Sequence, residues 1–143
     1  MSKVYWIVFS KDLLWFTDQG KLPEDSELLA SLSSQENVRR MENAGGQCFL
    51  GVQLAPECLP KNWKLVHLRQ AFELLSANEY KVVCKLKELL HWDEEHQFCG
   101  KCAHKLKQLT DISKQCPNCG REYWPSPSPA MIVLVEKPSE DGV

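Results

Sequence analysis

Two cysteine pairs with the same short spacing are the residues of this chain best suited to chemistry. They are Cys99-Gly100-Lys101-Cys102 and Cys116-Pro117-Asn118-Cys119, and thirteen residues separate them. Two such knuckles can place four thiolates at the corners of one tetrahedron, and Zn²⁺ accepts this arrangement with bonds of about 2.3 Å. The sequence therefore predicts a four-cysteine zinc ribbon whose ligands are Cys99, Cys102, Cys116 and Cys119.

Two alternatives to zinc arise from the same four cysteines. They could form two disulfides, although nothing else in the sequence indicates an oxidising compartment. They could also bind iron, since Cys-Pro-Asn-Cys-Gly resembles a knuckle of rubredoxin. With zinc, the cysteines would fill every coordination position, so we expect a closed structural site that activates no water. The other cysteines are expected to be buried or reduced thiols: Cys48, Cys58 and Cys84.

Two groups of charged residues could also bind ligands, but the sequence favours plain solvation for both. Asp93, Glu94 and Glu95 could hold Mg²⁺, yet at a helix end beside a turn a solvated run of charge is the better interpretation. Basic residues of the ribbon could contact nucleic acid. We expect them to be ordinary surface lysines instead: Lys101, Lys105, Lys107 and Lys114. No catalytic residue is assigned.

The composition is that of an ordinary globular protein. Hydrophobic residues make up 43% and charged residues 25% of the 143 residues, which argues against disorder over most of the chain. The formal net charge of −2 gives no general argument for nucleic-acid binding. We expect no membrane span, because no apolar run reaches about 18 residues. The first residues lack a signal-peptide pattern, so a cytoplasmic location is expected.

The elements that must position the cysteines are predicted to form an α+β fold. It combines a small mixed N-terminal domain of antiparallel strands with a helix at its C-terminal end. Apolar runs at 4–9 and 13–16 predict a hairpin that forms part of the core. Ser76 and Glu79 form a capping-box pattern, which predicts a helix over about 77–93 leading into the ribbon. The other predicted elements are a hairpin over 38–42 and 47–52, a strand over 63–68, short helices over 26–32 and 69–75, and a buried strand over 130–135.

Three short sequences around and after the cysteines resemble those of a known family. They are FCGKCAH at 98–104, CPNCGREYWP at 116–125 and PAMIVL at 129–134. Together they resemble the NADH pyrophosphatase (NAD⁺ diphosphatase) family of Nudix hydrolases. In that family an N-terminal α+β domain precedes a four-cysteine zinc ribbon, and an aromatic-aromatic-Pro step then leads to the first strand of the Nudix domain.

The resemblance implies both an organisation and a function. It implies an N-terminal domain over 1–93, a zinc ribbon over 94–125, and a linker with the first Nudix strand over 126–143. The parent protein would be a homodimer that hydrolyses NADH, NAD⁺ or an NAD cap on RNA to nicotinamide mononucleotide and AMP. Its catalytic domain would use Mg²⁺ or Mn²⁺. Trp124, with Tyr123 beside it, would form an aromatic wall for the nucleotide.

The chain departs from the family at the catalytic motif. The family's Nudix box reads G-x5-E-x7-R-E-U-x-E-E-x-G-U, with U a bulky apolar residue. Here the one Arg-Glu pair, Arg121-Glu122, is followed by Tyr-Trp-Pro, and the box is absent. We therefore expect an inactive fragment of a longer protein, with a naturally short relative as the second interpretation. The rival function is a free-standing zinc-ribbon adaptor that binds protein or nucleic acid.

Overall fold

A computed structural model describes residues 3–24, 26–32, 38–43 and 45–137 of the chain. These residues form two sheets and three α-helices, together with a single 3₁₀ turn at Pro56–Cys58. The strands are β1 (Val4–Ser10), β2 (Leu13–Phe16), β3 (Arg39–Glu42), β4 (Cys48–Gln53), β5 (Lys64–His67), β6 (Lys107–Thr110), β7 (Ser113–Gln115) and β8 (Glu122–Tyr123). The helices are α1 (Glu27–Leu32), α2 (Leu68–Ala71) and α3 (Ala77–Glu95). The predicted α+β class is confirmed.

The first five strands form one mixed sheet in the order β3-β4-β1-β2-β5. Strands β1 and β2 pair antiparallel, as do β3 and β4, so both predicted hairpins are present. The two hairpins are joined through β1 and β4, which run parallel from the Val4–Cys48 pair to the Phe9–Gln53 pair. Sequence analysis predicted antiparallel strands and missed this parallel pairing, because it joins segments that are distant along the chain.

The sheet is covered on both faces, which explains why β1 is apolar without interruption. Ile7 and Phe9 lie in the core that includes α3, whereas Trp6 and Val8 lie in a second core on the other face. Successive strand residues point to opposite faces, so both sets of side chains are buried. The aromatic residues at the start of the chain therefore form part of the core, as predicted.

Helix α3 packs on the sheet and leads directly into the ribbon. The Ser76 hydroxyl accepts a hydrogen bond from the Glu79 N–H at 3.3 Å, and the Ser76 N–H donates to the Glu79 carboxylate at 2.8 Å. This confirms the predicted capping box. Gly51 of β4 allows the helix to approach closely, since a Cβ there would lie 3.1 Å from the Leu86 Cδ2 atom. The helix continues through Glu95, across the domain boundary predicted after residue 93.

Two predicted elements differ from the structure. The helix expected over 69–75 is shortened to α2, and the chain then continues in tighter turns, where the N–H groups of Glu73 and Leu74 donate to carbonyls three residues back. The buried strand expected over 130–135 is not formed in this chain: the segment has no regular structure, and its residues from Met131 to Val135 are 69–100% exposed. Within the described residues no strand lies beside it to pair with its backbone.

The last three strands form a separate small sheet in the order β6-β7-β8. This sheet and the two cysteine knuckles make up the ribbon, whose buried cluster consists of Cys99, Leu106 and Cys116. Among the described residues, no helix has both the length and the apolar character that a bilayer span requires.

Candidate metal centre

The two cysteine pairs lie on knuckles that share one backbone geometry. In the first, the Ala103 N–H donates to the Cys99 carbonyl at 2.8 Å, and in the second the Gly120 N–H donates to the Cys116 carbonyl at 3.0 Å. Both donor residues are left-handed, with φ of 60° at Ala103 and 72° at Gly120. Each chain segment therefore turns back after its second cysteine, which directs both sulfurs of a pair to the same side.

The four sulfur atoms form a compact cluster, and all lie within 4.8 Å of one another. The Sγ atoms of Cys99 and Cys119 are 3.6 Å apart, and those of Cys102 and Cys116 are 3.4 Å apart. A regular tetrahedron with Zn–S bonds of about 2.3 Å has edges of about 3.8 Å, so the cluster suits a tetrahedral ion. A disulfide needs about 2.05 Å between sulfurs. All four cysteines are free, so the disulfide alternative is wrong for this structure.

The electrostatics of the cluster also suit a cation. The backbone N–H of His104 contributes most to lowering the pKa of Cys102, which falls to about 5. At Cys119 the N–H of Arg121 lowers the pKa, but burial and the neighbouring thiols outweigh it and raise the pKa to about 11. Sulfurs this close do not all ionise on their own, because like charges repel. A divalent cation removes that repulsion, so the donor set fits a metal better than it fits four protons.

Tyr123, predicted to line the nucleotide site, contacts the metal cluster through its hydroxyl. The hydroxyl oxygen lies 3.1 Å from the Cys99 Sγ atom and accepts a hydrogen bond from the Gly100 N–H at 2.9 Å. This hydroxyl is the main cause of the lowered pKa of Cys99, about 7. Sequence analysis missed this contact, since an aromatic residue after a knuckle does not reveal where its hydroxyl points.

Trp124 follows directly, and its side chain is 50% exposed. The two aromatic residues of the predicted nucleotide wall therefore differ in their surroundings. Tyr123 is half-buried and packs with the cysteine cluster, whereas Trp124 presents much of its ring to solvent.

Comparison with known protein families shows what the ribbon is similar to. Residues 94–124 match the family model described as the NADH pyrophosphatase zinc ribbon domain. The ribbon of this chain is therefore similar to the zinc ribbon of NADH pyrophosphatases. This match, together with the four-sulfur cluster, supports a structural zinc at the site. The resemblance noted from the sequence is thereby confirmed for the ribbon.

Relatives of the chain extend the likeness beyond the ribbon. It is 31% identical over 136 residues to the NAD-capped RNA hydrolase NudC of Chromobacterium violaceum, covering 94% of this chain and 50% of that protein. It is 29% identical over 135 residues to the protein of the same name from Deinococcus radiodurans, covering 94% of this chain and 46% of that protein. The chain thus spans about half the length of the curated relatives it matches.

The ribbon is joined to the N-terminal sheet by a cluster of charges that the sequence did not reveal. The Asp93 carboxylate forms ion pairs with Arg39 of β3 and Lys114 of β7. The side chains of Arg39, Lys114 and Asp93 are 4%, 5% and 15% exposed. The prediction that Asp93 and Lys114 are solvated was wrong, because the end of α3 lies against the ribbon. We call these three residues the junction cluster.

The other charged residues singled out in the sequence lie at the surface. Glu94 and Glu95 are exposed, as predicted. The same holds for the remaining lysines of the ribbon: Lys101, Lys105 and Lys107. Of the cysteines outside the cluster, Cys48 is buried, Cys58 exposed and Cys84 half-buried, and all three are free thiols.

Proposed function

We propose that the chain is the N-terminal and zinc-ribbon part of an enzyme that hydrolyses NADH, NAD⁺ or an NAD cap on RNA to nicotinamide mononucleotide and AMP. The observation that carries the proposal is the four-cysteine ribbon, which matches the NADH pyrophosphatase family within a chain similar to NAD-capped RNA hydrolases over 94% of its length. In this proposal, 1–93 form the N-terminal domain, 94–125 the ribbon, and 126–143 lead to a Nudix domain outside this chain.

In the proposed enzyme, Cys99, Cys102, Cys116 and Cys119 hold a structural zinc. The metal supplies folding energy, because four thiolates leave no coordination position for water or substrate. Apparent binding energies for such sites are about 10–16 kcal/mol. A ribbon with a buried cluster as small as this one gains little from its own core. Hydrolysis would instead depend on carboxylates of the Nudix domain, with Mg²⁺ or Mn²⁺ held against the phosphates.

We further propose that Trp124 stacks on a base of the dinucleotide. Its exposed ring supports this role, and the adjacent Tyr123 fixes the backbone to the ribbon through the Cys99 and Gly100 contacts. Tyr123 would support the wall from behind. Stacking of a base on an aromatic side chain contributes about 1–3 kcal/mol. In the full-length enzyme, Trp124→Ala should therefore raise the KM for NADH about 5- to 150-fold, whereas Trp124→Phe should retain most of the affinity.

The Trp124 experiment has a clear negative outcome. A Trp124→Ala enzyme that stays folded, as judged by its circular dichroism spectrum, and keeps the native KM would rule out stacking. Trp124 would then be an ordinary surface residue of the ribbon.

The proposal includes a cytoplasmic homodimer without a membrane partner. Support for the dimer comes from the family resemblance, in which the aromatic step is contributed across the dimer. Support for the cytoplasm comes from the free cysteines, which fit a reducing compartment. Light scattering coupled to size-exclusion chromatography of the full-length enzyme tests the dimer directly, and a monomer at micromolar concentration would contradict it.

The enzymatic function is tested by extending the gene sequence past Val143 and assaying the encoded protein. A Nudix box there, with AMP released from NADH in the presence of Mg²⁺ or Mn²⁺, would support the proposal. A stop codon in its place would favour the zinc-ribbon adaptor. The 143-residue chain is the matched control and should release no AMP. Turnover by this control that survives further purification would place the active site within these residues and contradict the proposal.

A further inference from the structure

The C-terminal end of α3 has an electrostatic problem that its own sequence does not solve. The last turn contains Asp93, Glu94 and Glu95 and no basic residue. The final carbonyls of a helix lack intrahelical partners, and the partial negative charge at this end disfavours carboxylates. The Gln97 side-chain amide donates to the Asp93 carbonyl, but the last turn contains no cation of its own. This end of the helix therefore depends on a cation, and on a donor for the His96 carbonyl, from another part of the molecule.

Lys114 of the ribbon supplies both the cation and the donors. Its ammonium group donates to the Asp93 carbonyl at 3.0 Å and to the His96 carbonyl at 2.7 Å, and it pairs with the Asp93 carboxylate. An ammonium group has three N–H donors, so these acceptors satisfy all of them. The ammonium also lies 5.6 Å from the centre of the Trp92 ring. A buried side chain of the ribbon thus caps the helix that precedes it.

The charges of the junction cluster allow this cap to be withdrawn without leaving an isolated ion. With Lys114 in place, two cations face the Asp93 carboxylate. When Lys114 leaves, Asp93 keeps its ion pair with Arg39, so no buried carboxylate loses its last partner. Lys114 itself would return to water, where an ammonium is well solvated. The helix end would lose the ammonium group and the donor to the His96 carbonyl, keeping only the Gln97 amide on the Asp93 carbonyl, while Asp93 keeps its buried pair with Arg39.

We propose that Lys114 couples metal binding in the ribbon to the end of α3. This inference rests on the zinc site proposed above. Lys114 lies on β7, two residues before the ligand Cys116, so the fold that zinc stabilises is the fold that holds Lys114 in place. Loss of the metal unfolds β7, withdraws Lys114 and frays the last turn of the helix around Trp92–His96. The N-terminal domain thereby responds to the binding or loss of a metal to which it contributes no ligand.

The coupling is tested by hydrogen–deuterium exchange of the backbone over residues 89–96. Chelation of the native chain should speed exchange there about tenfold or more, while β1 and β4 stay protected. Lys114→Met should give the same fast exchange with zinc still bound. Because coupling is reciprocal, Lys114→Met should also weaken zinc binding, by about tenfold within a usual range of 5- to 150-fold. Lys107→Met, on the exposed β6 strand, is the matched control and should change neither quantity.

Three outcomes would overturn the coupling. The first is unchanged hydrogen exchange of the last turn of α3 when the native chain is chelated. This measurement needs no variant, so it remains decisive if Lys114→Met fails to fold. Native exchange and native zinc affinity in a folded Lys114→Met protein would overturn the coupling as well. A native chain that binds no zinc, by elemental analysis, would overturn both the metal assignment and the coupling. None of these measurements involves hydrolysis of NADH, so a failure of the enzymatic proposal is distinguishable from each of them.

Discussion

Replacing Tyr123 by Phe is expected to weaken zinc binding without disturbing the fold of the ribbon. The change removes one hydroxyl, which lies 3.1 Å from the Cys99 sulfur and which alone among the ring's atoms can donate to a thiolate. The ring itself stays, and with it the packing on the cysteine cluster and the Arg121 guanidinium 5.5 Å from its centre. The Gly100 N–H also loses its acceptor, but Gly100 is exposed and water can replace it.

The size of the effect is set by the hydrogen bond to the thiolate. Hydrogen bonds to charged groups contribute about 1.5–3 kcal/mol, which corresponds to about 10- to 150-fold in a binding constant. Loss of an outer contact to a metal ligand usually lowers affinity by about 10- to 100-fold. Cys99 retains the Lys101 N–H at 3.4 Å, but this bond is already present in the native chain and does not replace the lost hydroxyl. We therefore expect a 10- to 100-fold decrease in zinc affinity for Tyr123→Phe.

The assay is competition for zinc with a chromophoric chelator at fixed pH and ionic strength. Tyr5→Phe is the matched control, because Tyr5 stacks on Phe49 in the N-terminal sheet and belongs to the core that includes α3. The control should bind zinc like the native chain. A folded Tyr123→Phe protein whose affinity stays within twofold of the native value would refute the reasoning, and Tyr123 would then act through ring packing alone.

Two further predictions concern the ribbon. The purified chain should be colourless with one zinc bound, whereas a red protein without zinc would indicate iron. Chelation should unfold residues 98–123 while the five-stranded sheet remains folded, as judged by NMR or circular dichroism. Gly120→Ala should destabilise the zinc-loaded ribbon by about 1–2 kcal/mol in chemical denaturation, because Gly120 has φ of +72°, where an L-residue is strained. A Cβ there would meet nothing within 4 Å, so the backbone strain accounts for the whole cost. An unchanged denaturation midpoint would mean that the knuckle relaxes.

Local patterns in the sequence were sufficient for the metal cluster and for most elements. The cysteine spacing, the Ser76–Glu79 capping box and the two hairpins each depend on residues that lie close together along the chain. The junction cluster was missed because burial of Asp93 depends on where the ribbon packs, and the sequence alone does not contain that information. The structure of the apolar run at 130–135 also depends on more than its own sequence. Hydrophobicity predicts that a strand can be buried, but burial also requires a neighbouring strand, and the described residues provide none.

The parallel pairing of β1 with β4 has a consequence for the order in which the sheet is assembled. Strand β1 lies at the centre of the sheet, yet one of its neighbours, β4, begins only at Cys48. During synthesis, the β1–β2 hairpin can close early. The other edge of β1 stays unpaired until the residues of β4 leave the ribosome. Closing such a long loop is entropically costly and slows folding. In the meantime an apolar strand with unpaired backbone groups is exposed, so the nascent chain is open to aggregation during this interval.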